Sequence, residues 1–190
     1  MLRFLSLQPA RRPSRSKGVL AVFVFIILML ALACGRSSGT AKNTATNFDF
    51  ISYNTGGILP DGQGSLSQVL ALNKPVVLNF WGGDCPPCRA EMPDFQSVAD
   101  EYKGQVIFLG IDVGPFTSLG THESARQLLK TLNITYPTAY AVDEKPMLDY
   151  NLQGVPTTVL ITKDHTIMTT NTGLMSKADL VSGIKTLVSK

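Results

Sequence analysis

Residues 75–89 read Pro-Val-Val-Leu-Asn-Phe-Trp-Gly-Gly-Asp-Cys-Pro-Pro-Cys-Arg, and few architectures accommodate that string. The stretch 75–81 is almost continuously apolar, the pattern of a strand buried on both faces rather than on one. Two glycines and Asp84 interrupt it, after which Met92, Phe95, Val98, Ala99 and Tyr102 recur at helical spacing. Cys85 therefore stands where a helix begins. Unpaired N–H groups and the positive end of the helix dipole favour its thiolate there. Cys88 follows one helical turn later, close enough to close a disulfide. The spacing suits thiol–disulfide exchange, in which one thiolate attacks and its neighbour resolves the mixed disulfide.

Competing uses of such a pair fit less well. A zinc site needs about four ligands. The remaining partners of the usual kinds, Cys34, His122 and His165, lie at spacings that form no finger. A structural disulfide asks for no particular neighbours. A peroxidatic cysteine would sit far from its resolving partner, whereas these two are vicinal. Three cysteines in all read as one pair and one singleton with a separate task. The dithiol carries electrons itself, so no cofactor and no metal are expected.

The rest of the pattern alternates between strand and helix. Residues 48–53 read as an opening strand and 56–64 as a loop. Residues 65–72 read as a helical turn capped by Ser65, and 105–112 as a second buried strand. Ala125, Leu128, Leu129 and Leu132 form one face of a helix capped by Thr121, and 145–151 form a short helix. Residues 157–162 and 166–170 read as paired strands about a turn at 163–165. Ser176 opens a last helix with its apolar face at Leu180, Val181, Ile184, Leu187 and Val188. This order predicts an α/β fold: a central mixed sheet with helices on both faces.

The N-terminus has a different character. Five basic residues (Arg3, Arg11, Arg12, Arg15 and Lys17) precede an uncharged apolar run at 18–33, which ends Ala-Leu-Ala before Cys34. The run is short of the roughly 20 residues that span a bilayer comfortably. Residues 1–33 are thus expected to be a signal peptide or membrane anchor. Ala31, Leu32 and Ala33 before Cys34 resemble a bacterial lipobox, in which Cys34 becomes the lipid attachment site; an uncleaved anchor helix or simple secretion are the alternatives. Residues 34–47 read as a flexible tether and 48–190 as the domain. With the basic residues inside, everything after Cys34 faces outward. From Cys34 onward 12 basic residues meet 14 acidic ones, so no basic surface invites nucleic acid.

On the strength of Leu78-Asn-Phe-Trp81, Cys85-Pro-Pro-Cys-Arg-Ala-Glu-Met-Pro93 and Gly154-Val-Pro-Thr-Thr158, residues 48–190 resemble the thioredoxin superfamily, in particular its membrane-anchored TlpA/ResA-like reductases. The resemblance implies a thioredoxin-like fold and a catalytic pair at Cys85 and Cys88. It implies a cis proline at Pro156 packed on that pair, and a helix-kinking proline at Pro93. Glu91 matches an acidic residue that moves protons near the cysteines. Asn79 stands where cytoplasmic thioredoxins bury an Asp, which leaves Glu91 as its substitute. Trp81, Pro86 and Val155 are expected to line the substrate groove. Asp84, just before the first cysteine, departs from the family pattern, and Pro86 and Pro87 offer Cys85 no N–H groups. Weaker thiolate stabilisation inclines the reading towards a reductant. The implied partners are disulfide-containing exported proteins, such as cytochrome c or copper-site maturation clients, and a membrane thiol electron donor. The implied place is the extracytoplasmic face of a bacterial membrane. A disulfide-forming oxidase, or a copper-binding assembly factor using the cysteines with a histidine, are the alternatives.

Overall fold

The computed structural model describes residues 43–189. The expected signal peptide or membrane anchor at 1–33 and the expected lipid attachment at Cys34 lie outside the described residues.

The apolar run before the cysteines forms β3 (Val76–Trp81), buried along its whole length. It pairs in parallel with β4 (Ile107–Asp112) on one side and antiparallel with β6 (Thr157–Ile161) on the other. Outward from β4 come β5 (Thr138–Ala141), β1 (Asp49–Asn54) and β2 (Gln63–Ser65); beyond β6 lies β7 (Ile167–Thr172). The sheet is mixed and seven-stranded, in the order β2-β1-β5-β4-β3-β6-β7.

Period-two alternation divides the core between the two faces. Val77 and Trp81 point to one side with Phe108 and Leu160. They are covered by α2 (Pro86–Glu101), α4 (His122–Thr131) and α6 (Lys177–Val188) through Met92, Phe95, Leu128, Ile184 and Leu187. Val76, Leu78 and Phe80 point to the other side with Leu109 and Ile111. There Leu66 and Val69 of α1 (Leu66–Leu70) and Phe48 and Phe50 fill the layer, with Met147 of α5 (Lys145–Asp149) against it. A four-residue helix, α3 (Gly114–Thr117), follows β4. Thr121 caps α4 by accepting from Ser124 N–H at 3.2 Å, and Ser176 caps α6 by accepting from Asp179 N–H at 3.2 Å.

Two strands escape the sequence pattern. β5 is Thr-Ala-Tyr-Ala, a strand of only four residues, and exists because β1 and β4 pair with it from both sides. β2 is three residues of the expected 56–64 loop and its edge, recruited by β1. Residues 43–47, read above as the end of the tether, are hydrogen-bonded to the domain. Ala45 N–H donates to His165 O at 2.9 Å, Asn43 O accepts from Ile167 N–H at 2.7 Å, and Tyr150 Oη donates to Thr46 O at 2.9 Å. These backbone groups find partners that no apolar pattern announces, and the domain boundary moves to before residue 43.

Candidate active site

β3 delivers the chain to the cysteines at its C-terminal edge, and the turn that follows is clamped from outside. Asp84 N–H donates to Leu119 O at 2.8 Å. A Cβ on Gly82 would stand 2.7 Å from Leu119 O, and one on Gly83 would stand 2.5 Å from Ala125 N. Gly82 and Gly83 are thus explained by a close approach of the neighbouring chain, where a side chain would collide.

Cys85 is the N-cap of α2, with extended backbone, and is bonded to Cys88. Pro86 and Pro87 occupy the first helical positions, where a missing N–H costs nothing. The first N–H the helix can offer is that of Cys88, and it donates to Cys85 Sγ at 3.2 Å. The two prolines therefore reduce the donors at the sulfur to one rather than to none. Both cysteines are nearly inaccessible, Cys85 at 2% and Cys88 at 0% exposure.

The Val155–Pro156 peptide bond is cis, and Pro156 is buried at the head of β6. Val155 O lies 3.8 Å from Cys85 Sγ. Pro156 O accepts from Gly173 N–H at 2.8 Å, which ties this loop to the one leading into α6.

Glu91 lies on α2 one turn beyond Cys88 and is 2% exposed, not the solvated helix residue its type suggests. Its Oε1 accepts from Asn79 Nδ2 at 2.9 Å and its Oε2 from Met175 N–H at 2.9 Å. Asn79 Nδ2 donates also to Thr158 Oγ1 at 3.1 Å. Burial pushes the Glu91 carboxyl up to about 7, against the opposing pull of the Met175 and Asn79 hydrogen bonds. A buried acid one turn from the inner cysteine, poised near neutrality, can hold or release a proton there. The substitution of Asn for Asp on β3 and the acid on α2 are one unit, joined by a hydrogen bond.

Of the expected groove residues, Pro86 is exposed and Val155 half-buried beside the disulfide. Trp81 is not: its side chain has 0% exposure and packs in the core with Cys85, Cys88 and Met92. Its position on the face under α2 makes it the floor beneath the pair rather than a groove wall. Among the described residues no three His, Cys, Asp or Glu side chains gather as metal ligands.

A second titratable group went unread. Asp112 ends β4 beside Trp81 and is 0% exposed. Its Oδ1 accepts from Gly114 N–H at 2.8 Å, and its Oδ2 accepts from Tyr53 Oη at 2.8 Å and lies 3.6 Å from His122 Nδ1. Tyr53 Oη is also 2.8 Å from His122 Nδ1, and the His122 ring sits 4.1 Å from that of Tyr140. Burial raises the Asp112 carboxyl, opposed by Gly114, Tyr53 and His122. His122 keeps 40% side-chain exposure yet is engaged on its inner edge. The readable signal was an Asp closing an otherwise apolar strand.

Residues 43–170 match the AhpC/TSA family. The thioredoxin-like protein YneN of Bacillus subtilis is 32% identical over 112 residues, covering 58% of this chain and 63% of that one; the chain thus spans just under two thirds of that relative. The thiol-disulfide oxidoreductase ResA of Halalkalibacterium halodurans is 28% identical over 143 residues, covering 75% of this chain and 74% of that one. A thiol:disulfide interchange protein DsbE from Chlorobium tepidum superposes with a TM-score of 0.66 at 20% identity, over 77% of this chain and 96% of that one. The family match spans more than half of the sequence and includes both cysteines, so the chain belongs to the AhpC/TSA family, with a thioredoxin-like fold and relatives that are named thiol–disulfide oxidoreductases.

Proposed function

We propose that this chain is a thiol–disulfide oxidoreductase on the outer side of a bacterial membrane, reducing disulfides in exported proteins. The single observation that carries the chemistry is the Cys85–Cys88 bond at the start of α2, with Glu91 buried one turn below it. Cys85 thiolate attacks a client disulfide, forming a mixed disulfide and expelling one client thiolate. Cys88 gives its proton to Glu91 and attacks Cys85 Sγ. The Cys85–Cys88 bond forms, the bond to the client breaks, and the client has gained two electrons. The departing client thiolate is protonated by solvent. Pro156 and Val155 shape the surface against which the client lies, and Pro86, exposed next to Cys85, adds to it.

The pair must then be re-reduced by a membrane thiol donor, because no cytosolic reductant reaches that side. The outward placement is supported by the basic segment, the apolar run at 18–33 and Cys34 after Ala-Leu-Ala. Clients of the cytochrome c or copper-site maturation kind fit a reductant in that place. The direction is supported by the single N–H donor at Cys85 Sγ, since a well-stabilised thiolate favours the reduced form and makes an oxidant.

The test is the reduction potential of the Cys85–Cys88 couple in the full chain, titrated against dithiothreitol or glutathione. A value near or below about −220 mV supports a reductant, and one near about −120 mV makes the chain an oxidase. Cys88→Ala should trap clients as mixed disulfides on Cys85. No trapped adduct and no reversible couple would end the redox reading.

A further inference from the structure

In the proposed cycle Glu91 takes a proton and gives it back, so its buried surroundings must suit both a carboxylate and a carboxylic acid. When Cys88 resolves the mixed disulfide, its proton passes to Glu91. When a thiol donor attacks the Cys85–Cys88 bond and Cys88 leaves as the thiolate, the proton returns. A buried donor or acceptor left without a partner in either state is costly. The partners are fixed by packing. Glu91 and Asn79 are each 2% exposed and Thr158 is 0% exposed. Asn79 and Thr158 lie opposite each other in the register of β3 and β6. Asn79 Nδ2 donates to Glu91 Oε1 at 2.9 Å and to Thr158 Oγ1 at 3.1 Å, while Met175 N–H donates to Glu91 Oε2 at 2.9 Å. Both acid oxygens accept, which is the arrangement of a carboxylate.

Protonation upsets that arrangement. The Met175 backbone N–H can only donate, so Oε2 stays an acceptor and the proton belongs on Oε1. There it would meet the N–H of Asn79 head-on. A primary amide removes the conflict by half a turn about its last torsion, because its oxygen and nitrogen are alike in size and opposite in hydrogen-bonding role. With Oδ1 in the place of Nδ2, the acid donates to Asn79. The second contact reverses with the first, since the Thr158 hydroxyl can accept from an N–H or donate to a carbonyl. An Asp at position 79 could not donate to a carboxylate and would put two carboxyls on one proton. A Val at position 158 has no hydroxyl to reverse. Among the described residues no cation shares in the balance at Glu91: burial raises its carboxyl, and the Met175 and Asn79 hydrogen bonds oppose it. Tyr136 lies within electrostatic reach, and burial and the charge of Glu91 both keep its phenol protonated.

We infer that Asn79 and Thr158 are positioning residues for Glu91 whose hydrogen bonds reverse with its proton: Asn79 Nδ2 faces the carboxylate, and Asn79 Oδ1 faces the carboxylic acid. The buried acid then keeps its partners whichever way the proton moves, so the disulfide can be formed and re-reduced without opening the core. This rests on the proposed role of Glu91, and the test keeps the two apart.

The isotope-labelled full chain, with its disulfide intact, is titrated by NMR between pH 5 and pH 9. Glu91 Cδ reports the carboxyl, and the Asn79 side-chain amide reports which way it faces. The Asn79 amide protons should shift with the same midpoint as Glu91 Cδ. Their NOEs to the Thr158 side chain should be present on the alkaline side and lost on the acid side. NOEs that persist while Glu91 titrates would overturn the reversal and leave Glu91 its role. A Glu91 Cδ that does not titrate in this range would remove that role and the reversal with it. Asn79→Leu gives a second reading, because it takes a hydrogen bond from both forms of the acid. Its Glu91 midpoint should rise by less than about one unit, whereas loss of a donor that serves the carboxylate alone would raise it by about one to two units. A rise of the larger size would overturn the reversal.

Discussion

A carboxyl group that folding moves from its ordinary value of 4.5 to about 7 makes stability depend on pH. Between those values folded Glu91 keeps a proton that the unfolded chain has released, so stability is greatest below about pH 4.5 and falls as pH rises through 7. The loss from this group is on the order of 3 kcal/mol at most. Asp112 shifts in the same direction, so the contribution of Glu91 is read from a difference. Urea unfolding of the oxidised protein at pH 5 and pH 8 should show wild type weakening while Glu91→Gln weakens less. Parallel behaviour of the two would mean that Glu91 is ionised throughout. At this scale the sequence singled out Cys85, Cys88, Pro156 and Glu91. Trp81 was misplaced because a Trp beside a motif looks the same whether its ring faces out or in. Asp112 was missed because its partners Tyr53 and His122 come from β1 and α4, 59 and 10 residues away along the chain.

At the scale of elements, β3 and α2 were legible because their signals are local: an apolar run, a glycine break, a proline-opened helix. The turn between them depends on α4, and its glycines have a reason only once Leu119, Ser124 and Ala125 are packed on it. Gly83→Ala should therefore cost about 1–3 kcal/mol, the usual range for forcing atoms into a filled space. It should also raise the rate at which Cys85 is alkylated in the reduced protein, because the clamp on Asp84 loosens. A thermal melt and an iodoacetamide time course check both; an unchanged melt would show that α4 yields freely. β5 illustrates the opposite case. Four residues, too few to announce a strand, become one because β1 and β4 each offer an edge, and those partners lie 84 to 91 and 28 residues earlier in the chain.

At the scale of the whole molecule, the sheet separates two ends. Ile161 pairs with Val76 at the start of β3, so the hairpin turn after β6 lies at the end opposite Cys85, which follows Trp81. Residues 43–45 pair with that turn through Thr44, Ala45 and Asn43. The described chain thus enters at one end and presents its disulfide at the other. A chain beginning at Phe48 loses these bonds and those of Thr46 and Asn47 to Tyr150, Lys145 and Ser67. It should be less stable by about 5 kcal/mol, at roughly 1 kcal/mol for each of the five bonds, as measured by urea unfolding beside a chain beginning at Asn43. Equal midpoints would show that the segment docks without consequence.

The sequence by itself determined the redox pair, the strand and helix that carry it, and the alternation that makes a mixed sheet. Each of these is written in neighbouring residues, through periodicity, capping and the conformational limits of proline and glycine. Only the tertiary structure decided that Glu91 is buried against Asn79, that Trp81 is floor rather than wall, and that Asp112 gathers Tyr53 and His122. Those outcomes depend on register between strands distant in the chain, and a one-residue slip of a strand would turn its own members of these groups, Asn79 and Trp81 or Asp112 or Tyr53, to the opposite face.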